Sequence, residues 1–196
     1  MLSRLFLVRH GETEWSLSGR HTGRTDIALT ARGEEEAKAL GSRLHAFPFA
    51  AVFTSPSLRA RRTCELSGLA AAAEIDPDLS EWDYGDYEGL TSAEILEARP
   101  GWNLFRDGCP GGESPARVSG RADRVIAGLK EREGDIALFS HGHFGRVLAA
   151  RWIESQVDLG RRFSLAPASL SILAHEHQSA REPIIALWNE QTTPVP

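Results

Sequence analysis

Cysteine is scarce in this chain. Its 196 residues contain two, Cys64 and Cys109, neither in a C-x-x-C pair nor beside a ligand-like cluster, so a disulfide framework and a structural zinc site are both disfavoured. Long apolar runs are missing as well. The N-terminal stretch MLSRLFLVRH is far shorter than the apolar core of a signal peptide, and no later run approaches membrane-spanning length. The chain therefore reads as a soluble, cytoplasmic protein with no membrane partner. Nor is there a surplus of positive charge. Lys and Arg number 22 against 27 Asp and Glu, the net charge is -5, and the basic residues are spread along the chain. That pattern leaves no electrostatic footprint for nucleic acid, and a small anionic ligand would need a local basic pocket. Repeats and low-complexity tracts are absent too.

What is present suits one compact domain over residues 1–196, because 41% of the residues are hydrophobic and a chain of this length buries a proper core. Leu5 to Val8 form a short continuous apolar run, the pattern of a strand buried on both faces, and the polar RHGETEW after it is read as a loop at the strand's carboxyl end. Thr30 opens a helix whose Ala37, Leu40, Gly41 and Leu44 fall at helical spacing, with Glu34, Glu35 and Glu36 in its early turns. AAVFT reads as a second strand, with Ser55 as N-cap and Pro56 in the first turn of a helix that carries Arg59. Residues 135–140 read as a third strand, leading through His141-Gly142-His143 into a helix.

Between these lies a looser stretch from Asp76 to Glu113, rich in Gly, Pro, Asp and Trp, whose part 82–113 is expected to lid or border a site. An amphipathic helix follows, roughly from Glu113 to Arg132, and ASLSILAHE and PIIALWN suggest an antiparallel hairpin at a sheet edge. Strands alternating with helices predict an α/β fold, a three-layer α/β/α sandwich around a mostly parallel sheet. Such sheets gather their ligands at the carboxyl ends of the strands, where Arg9, His10, Arg59 and His141 all fall. A helix N-terminus beyond such a strand adds free amides, so phosphate is the natural guest.

The strings LVRHGETEW, SPSLRARRT, LSEWDYGDYEGL and FSHGHFGRVL resemble, in that order, the four signature regions of the histidine phosphatase superfamily, also called the phosphoglycerate mutase-like family. The resemblance covers nearly the whole chain. It implies that His10 is a nucleophile forming a phosphohistidine, that Arg9, Arg59 and His141 bind phosphoryl oxygens, and that Glu81 is the proton donor. By the same similarity Thr22 and Gly23 border the substrate end of the pocket and the Gly142 amide touches phosphate. Two positions depart from the family pattern: Ser16 stands where Asn is common, and His143 where a Gly or small residue is common. Both are expected at the substrate, as is Tyr84 at the start of the lid. Within the superfamily, EWDYGDYEGL and WNLFRDGCPGGES resemble the branch of acid phosphatases and sedoheptulose bisphosphatase-like sugar phosphatases.

The residue types suit the reaction. Phosphoryl transfer needs in-line attack and cationic donors on the equatorial oxygens, which two arginines and a second histidine supply without a metal or any other cofactor. The HGH at 141–143 has a spacing that also occurs in metal sites. Metal on His10 would withdraw the attacking lone pair, however, and the neighbouring arginines would repel the cation. The expected activity is hydrolysis of small phosphate esters by a metal-independent phosphomonoesterase. The competing readings are a phosphoglycerate mutase, for whose extra closing segment the chain leaves little room, and a silent phospholigand-binding protein, which would lack one of the core residues. Substrate identity is not legible, and a homodimer is only the general default for soluble enzymes.

Overall fold

A computed structural model of the chain describes residues 3–130, 132–178 and 182–191. Its six strands are, in chain order, β1 (Arg4–Arg9), β2 (Phe49–Thr54), β3 (Ala73–Ile75), β4 (Asp135–Ser140), β5 (Ser169–His175) and β6 (Pro183–Gln191). They form one sheet in the spatial order β3-β2-β4-β1-β5-β6. The first four in that order run parallel, while β5 pairs antiparallel with β1 and β6 antiparallel with β5. The helices are α1 (Glu14–Leu17), α2 (Ala31–Leu44), α3 (Leu58–Leu66), α4 (Ser92–Ala98), α5 (Leu104–Asp107), α6 (Pro115–Lys130) and α7 (Gly142–Trp152).

Alternation along the central strands creates the three layers, because successive side chains of a strand point to opposite faces. Leu5 and Leu7 of β1, with Ile136 and Leu138 of β4, enter a buried cluster with Val118, Ala122 and Val125 of α6 and Val147 and Leu148 of α7. Phe6 and Val8, with Ala137 and Phe139, enter the opposite cluster, where Leu40 and Leu44 of α2 and Cys64 of α3 cover them. Leu5 to Val8 are fully buried, as a continuous apolar run on a doubly covered strand requires. No helix among the described residues is long and apolar enough to cross a membrane.

Several local expectations need correction. The RHGETEW segment is not all loop, for Thr13 caps the short α1, its hydroxyl accepting from the Ser16 amide. Helix α3 begins two residues later than the Ser55-Pro56 signal suggests, with Ser57 as N-cap. The Ser55 hydroxyl is engaged elsewhere, by His141 and the Ser57 amide. The edge strand β3 has three residues, too few for a period to show. The stretch from Asp76 to Glu113 carries α4 and α5, and its Trp82, Tyr84, Ile95, Trp102, Leu104 and Phe105 are buried in the same cluster as Leu5 and Leu7. The region that borders the site is thus packed into the core. Helix α6 ends at Lys130, and Glu131, inside the expected helix, lies outside the described residues, as does the 179–181 part of the turn joining the edge hairpin.

Candidate active site

Three strand ends lie side by side. Arg9 of β1 is in register with Ser140 of β4, and Thr54 of β2 with Phe139, so the residues that follow each strand emerge together. The His10 amide donates to the Ser140 carbonyl at 3.0 Å and the Ser55 amide to the Phe139 carbonyl at 2.9 Å. These bonds extend the sheet by one residue just where the chain turns into the site. The approach of β1's exit loop to α2 is tight: a Cβ on Gly11 would sit 2.4 Å from the Gly33 carbonyl oxygen, so the glycine after His10 is a steric requirement.

Hydrogen-bond partners assign the two imidazole tautomers. His10 Nδ1 lies 2.8 Å from the Gly11 carbonyl. A carbonyl only accepts, so Nδ1 carries the proton and Nε2 keeps its lone pair. His141 Nε2 lies 2.8 Å from the Ser55 hydroxyl, which also accepts from the Ser57 amide. With the hydroxyl donating to His141 Nε2, the ring's own N–H stands on Nδ1. The rings meet edge-on with centroids 5.3 Å apart. Burial, then the charges of Arg59 and Arg9, hold His10 well below the usual imidazole range; burial and Arg59 do the same for His141. Both rings are neutral near neutral pH.

The arginines are tied at some nitrogens and open at others. Arg59, fully buried, gives Nη1 to the Thr25 carbonyl at 3.0 Å and Nη2 to the carbonyls of Thr22 and Gly23 at 2.9 and 3.0 Å. Arg9 gives Nη1 to the Leu165 carbonyl. Four buried side-chain nitrogens among the described residues have no hydrogen-bond partner, and three belong to this site: Arg9 Nε, Arg59 Nε and His141 Nδ1. An unsatisfied buried donor costs about 1–3 kcal/mol. The two arginines act on the His10 ring by their charge and His141 meets it edge-on, so these unpartnered nitrogens lie in its neighbourhood and suit an oxyanion. The free amide of Gly142, at the first position of α7, lies on the same side, since a Cβ there would be 3.2 Å from Arg9 Cζ.

Glu81 lines the same cavity as His10. Its Oε1 accepts from the amides of Trp82 at 2.8 Å and Phe144 at 2.7 Å, and its Oε2 from the His143 amide at 3.0 Å. The start of α7 thus fixes the carboxyl group, while Oε2, with one amide only, has room for a proton or a further partner. Behind it, Arg121 of α6 donates to the carbonyls of Asp78, Ser80 and Glu81 and pairs with Glu113 at 2.8 Å. This clamp sets the turn that carries Glu81. Sequence reasoning missed it, although Arg121 stands next to Ala122 on the apolar face of α6, an anomalous place for a charge.

Of the eleven residues expected in the site, Arg9, His10, Ser16, Thr22, Glu81, Tyr84, Gly142 and His143 line one cavity of about 170 Å³. His141 and Gly23 line a larger adjoining cavity of about 380 Å³, with Glu81 in the wall of both, and Arg59 is buried between the Thr22–Thr25 loop and the strand ends. Of the two, only the smaller is lined by His10. Ser16 donates its hydroxyl proton to the Thr13 carbonyl at 2.8 Å. Thr22 and Gly23 bracket Arg59 through their carbonyls, and Gly23 is itself held by Glu88, to which its amide donates at 2.9 Å. The Tyr84 hydroxyl meets His143 Nδ1 at 2.7 Å. Ser55, His21 and Arg146 complete the surroundings. None of these three was expected from sequence: Ser55 carries a cap signal, Arg146 lies within FSHGHFGRVL without a role read for it, and His21 stands outside the four strings.

Comparisons with known proteins identify the family. Residues 5–191 match the histidine phosphatase superfamily (branch 1). The chain is 43% identical over 178 residues to an acid phosphatase of Mycobacterium tuberculosis, covering 89% of this chain and 87% of that one. It is 39% identical over 181 residues to a sedoheptulose 1,7-bisphosphatase of Saccharomyces cerevisiae, covering 76% and 67%. Its fold superposes on a solved structure of an open reading frame product from Mycobacterium tuberculosis with a TM-score of 0.92 at 39% identity, covering 97% of this chain and 99% of that one. Family match, identity and backbone thus extend over nearly the whole described chain, and this protein belongs to the histidine phosphatase superfamily.

Proposed function

We propose that the chain is a metal-independent phosphomonoesterase that hydrolyses small phosphorylated metabolites through a phosphohistidine at His10. The observation that carries this reading is a buried, neutral His10 whose Nδ1 is held by the Gly11 carbonyl so that Nε2 keeps its lone pair, with the partnerless nitrogens Arg9 Nε, Arg59 Nε and His141 Nδ1 in its neighbourhood. In the first step His10 Nε2 attacks phosphorus and the ester P–O bond breaks. The three donors and the Gly142 amide stabilise charge on the phosphoryl oxygens as the bonds exchange. Glu81 delivers a proton from Oε2 to the leaving alkoxide. In the second step Glu81 takes a proton from water, the water oxygen attacks phosphorus, the P–N bond breaks, and inorganic phosphate leaves with His10 neutral again.

The relatives described as an acid phosphatase and a sedoheptulose bisphosphatase favour transfer to water over return to a rearranged substrate. The catalytic unit is a single domain in which residues 82–113 form a packed wall of the pocket. The reading is tested by phosphate release from p-nitrophenyl phosphate in the presence of a chelator. His10→Ala is expected to lower kcat by about a thousandfold or more, and a rapidly quenched reaction with radiolabelled ester should label His10. Turnover that vanishes with the chelator, or label on another side chain, overturns it.

A further inference from the structure

Arg59 is gripped by the carbonyl oxygens of Thr22, Gly23 and Thr25, and such a grip is only as firm as the loop that presents them. Residues 22–25 belong to no helix or strand, so their carbonyls keep their places only where the amides of the same loop are held. Two of those amides end on one carboxylate. The Gly23 N–H donates to both Oε1 and Oε2 of Glu88, at 2.9 and 3.0 Å, and the Thr25 N–H donates to Oε1 at 3.1 Å. Glu88 is half-buried and lines neither cavity of the site, so any effect it has on the reaction must travel through this loop.

The two sets of bonds share a peptide unit. The Thr22–Gly23 peptide carries both the oxygen that accepts from Arg59 Nη2 and the N–H that donates to Glu88, so its dipole turns its negative end to the guanidinium and its positive end to the carboxylate. Hydrogen bonds linked in this way polarise and strengthen one another. The nearby guanidiniums are committed to other carboxylates: Arg24, within the loop, pairs with Asp83, and Arg20 with Glu94. The carboxylate's approach is close. A Cβ on Gly23 would stand 2.7 Å from Glu88 Oε2 and 2.8 Å from the Trp82 carbonyl oxygen, so the loop needs glycine at this point. On one side the loop continues to Asp26, whose carboxylate accepts from the Leu58 amide at 2.9 Å at the start of the helix that carries Arg59. On the other it is zipped to the segment after Glu88, His21 N–H donating to the Leu90 carbonyl and Gly89 N–H to the His21 carbonyl, both at 2.9 Å. Burial lowers the Arg59 pKa, and Glu88 is among the groups whose charge opposes this.

We propose that Glu88 is a positioning residue for phosphoryl transfer: it holds the 22–25 loop so that Arg59 is tied at both terminal nitrogens and presents Nε to a phosphoryl oxygen. The proposal rests on the phosphomonoesterase reading. The test is a double-variant cycle on p-nitrophenyl phosphate with Glu88→Gln, Arg59→Ala and the two combined, so that the effect of Glu88 is read with and without the guanidinium it is said to place. Gln keeps the length of Glu and one acceptor oxygen but loses the charge and the second acceptor.

Glu88→Gln alone should lower kcat/KM by about tenfold and weaken competitive inhibition by inorganic phosphate by about the same factor. In the Arg59→Ala protein the same substitution should change kcat/KM by less than about twofold. Glu88→Asp, which keeps the charge but withdraws it by one methylene, should fall between the native protein and Glu88→Gln. A second loss of about tenfold in the Arg59→Ala background overturns the proposal, because it assigns Glu88 to the fold or to another group of the site. An unchanged kcat/KM in Glu88→Gln overturns it as well. Should Glu88→Gln fail to fold, Glu88→Asp is taken through the same cycle and judged by the same two outcomes. Either overturning result in a protein that hydrolyses p-nitrophenyl phosphate removes the role of Glu88 and leaves the phosphatase standing. A native protein that releases no phosphate removes both.

Discussion

Replacing Ser55 by Ala takes the hydrogen-bond donor from His141 Nε2 and leaves the ring free to carry its proton there instead of on Nδ1. One of the three donors proposed to hold the phosphoryl oxygens is then lost in part of the population. A hydrogen bond of this kind is worth about 1 kcal/mol, so Ser55→Ala should lower kcat by about five- to tenfold with little change in melting temperature. Steady-state kinetics on p-nitrophenyl phosphate checks this, and an unchanged kcat would show that Ser57, 3.4 Å from the same nitrogen, holds the tautomer alone. At this scale the motifs were legible, because Arg9, His10, Arg59, Glu81 and His141 each stand in a recognisable string. The proton positions were not. Ser55 and His141 are 86 residues apart, and only folding determines which hydroxyl faces which ring nitrogen.

Helix α7 and helix α6 share the task of placing Glu81. The start of α7 supplies the amides of His143 and Phe144, and α6 supplies Arg121, which ties down the carbonyls of residues 78, 80 and 81. Arg121 and Glu113 are both buried, so removing one partner strands the other's charge. Arg121→Met should therefore destabilise the protein by about 3–5 kcal/mol, and Arg121→Met combined with Glu113→Leu should recover a good part of that loss. Urea denaturation of the single and double variants checks this; a double variant as unstable as the single one would mean that the lost carbonyl bonds, and not the stranded carboxylate, set the cost. The helix itself was legible from its apolar positions. That one of its charges turns inward was not, because periodicity reports the faces of a helix and not what a neighbouring turn demands of them.

At the scale of the whole molecule, His10, His21 and His141 are buried and His143 is half-buried, and all four are held in the neutral form. His10, His21, His141 and His143 are all held below the ordinary value of 6.5, with burial the largest cause in each case. The unfolded chain exposes the same imidazoles, which take up protons as the pH falls through about 6.5 while the folded protein resists them. Their contribution to stability is thus intact above that value and is lost progressively below it, by up to about 1.4 kcal/mol per pH unit for each group. The ion-paired carboxylates Asp107, at about 2, Glu34 and Glu94 are held below the usual carboxylate range and titrate at more acidic pH. Melting temperature should therefore fall between about pH 7 and about pH 5. A melting temperature that stays level or rises over that window would show that these rings are accessible to protons in the folded state.

The sequence by itself determined the architecture and the reaction class. Strand runs, helix periods and four ordered motifs are local properties, and hydrophobic alternation alone sends Leu5 and Leu7 to one face of the sheet and Phe6 and Val8 to the other. Tertiary structure decided what each polar atom is free to do. It engaged both terminal nitrogens of Arg59 on one loop and left Nε open, gave Ser55 to His141, turned Arg121 toward Glu81, and set His21, His143 and Arg146 along one wall. The physical reason is that burial obliges each polar group to find a partner, and those partners lie tens of residues away along the chain, where no local pattern records them.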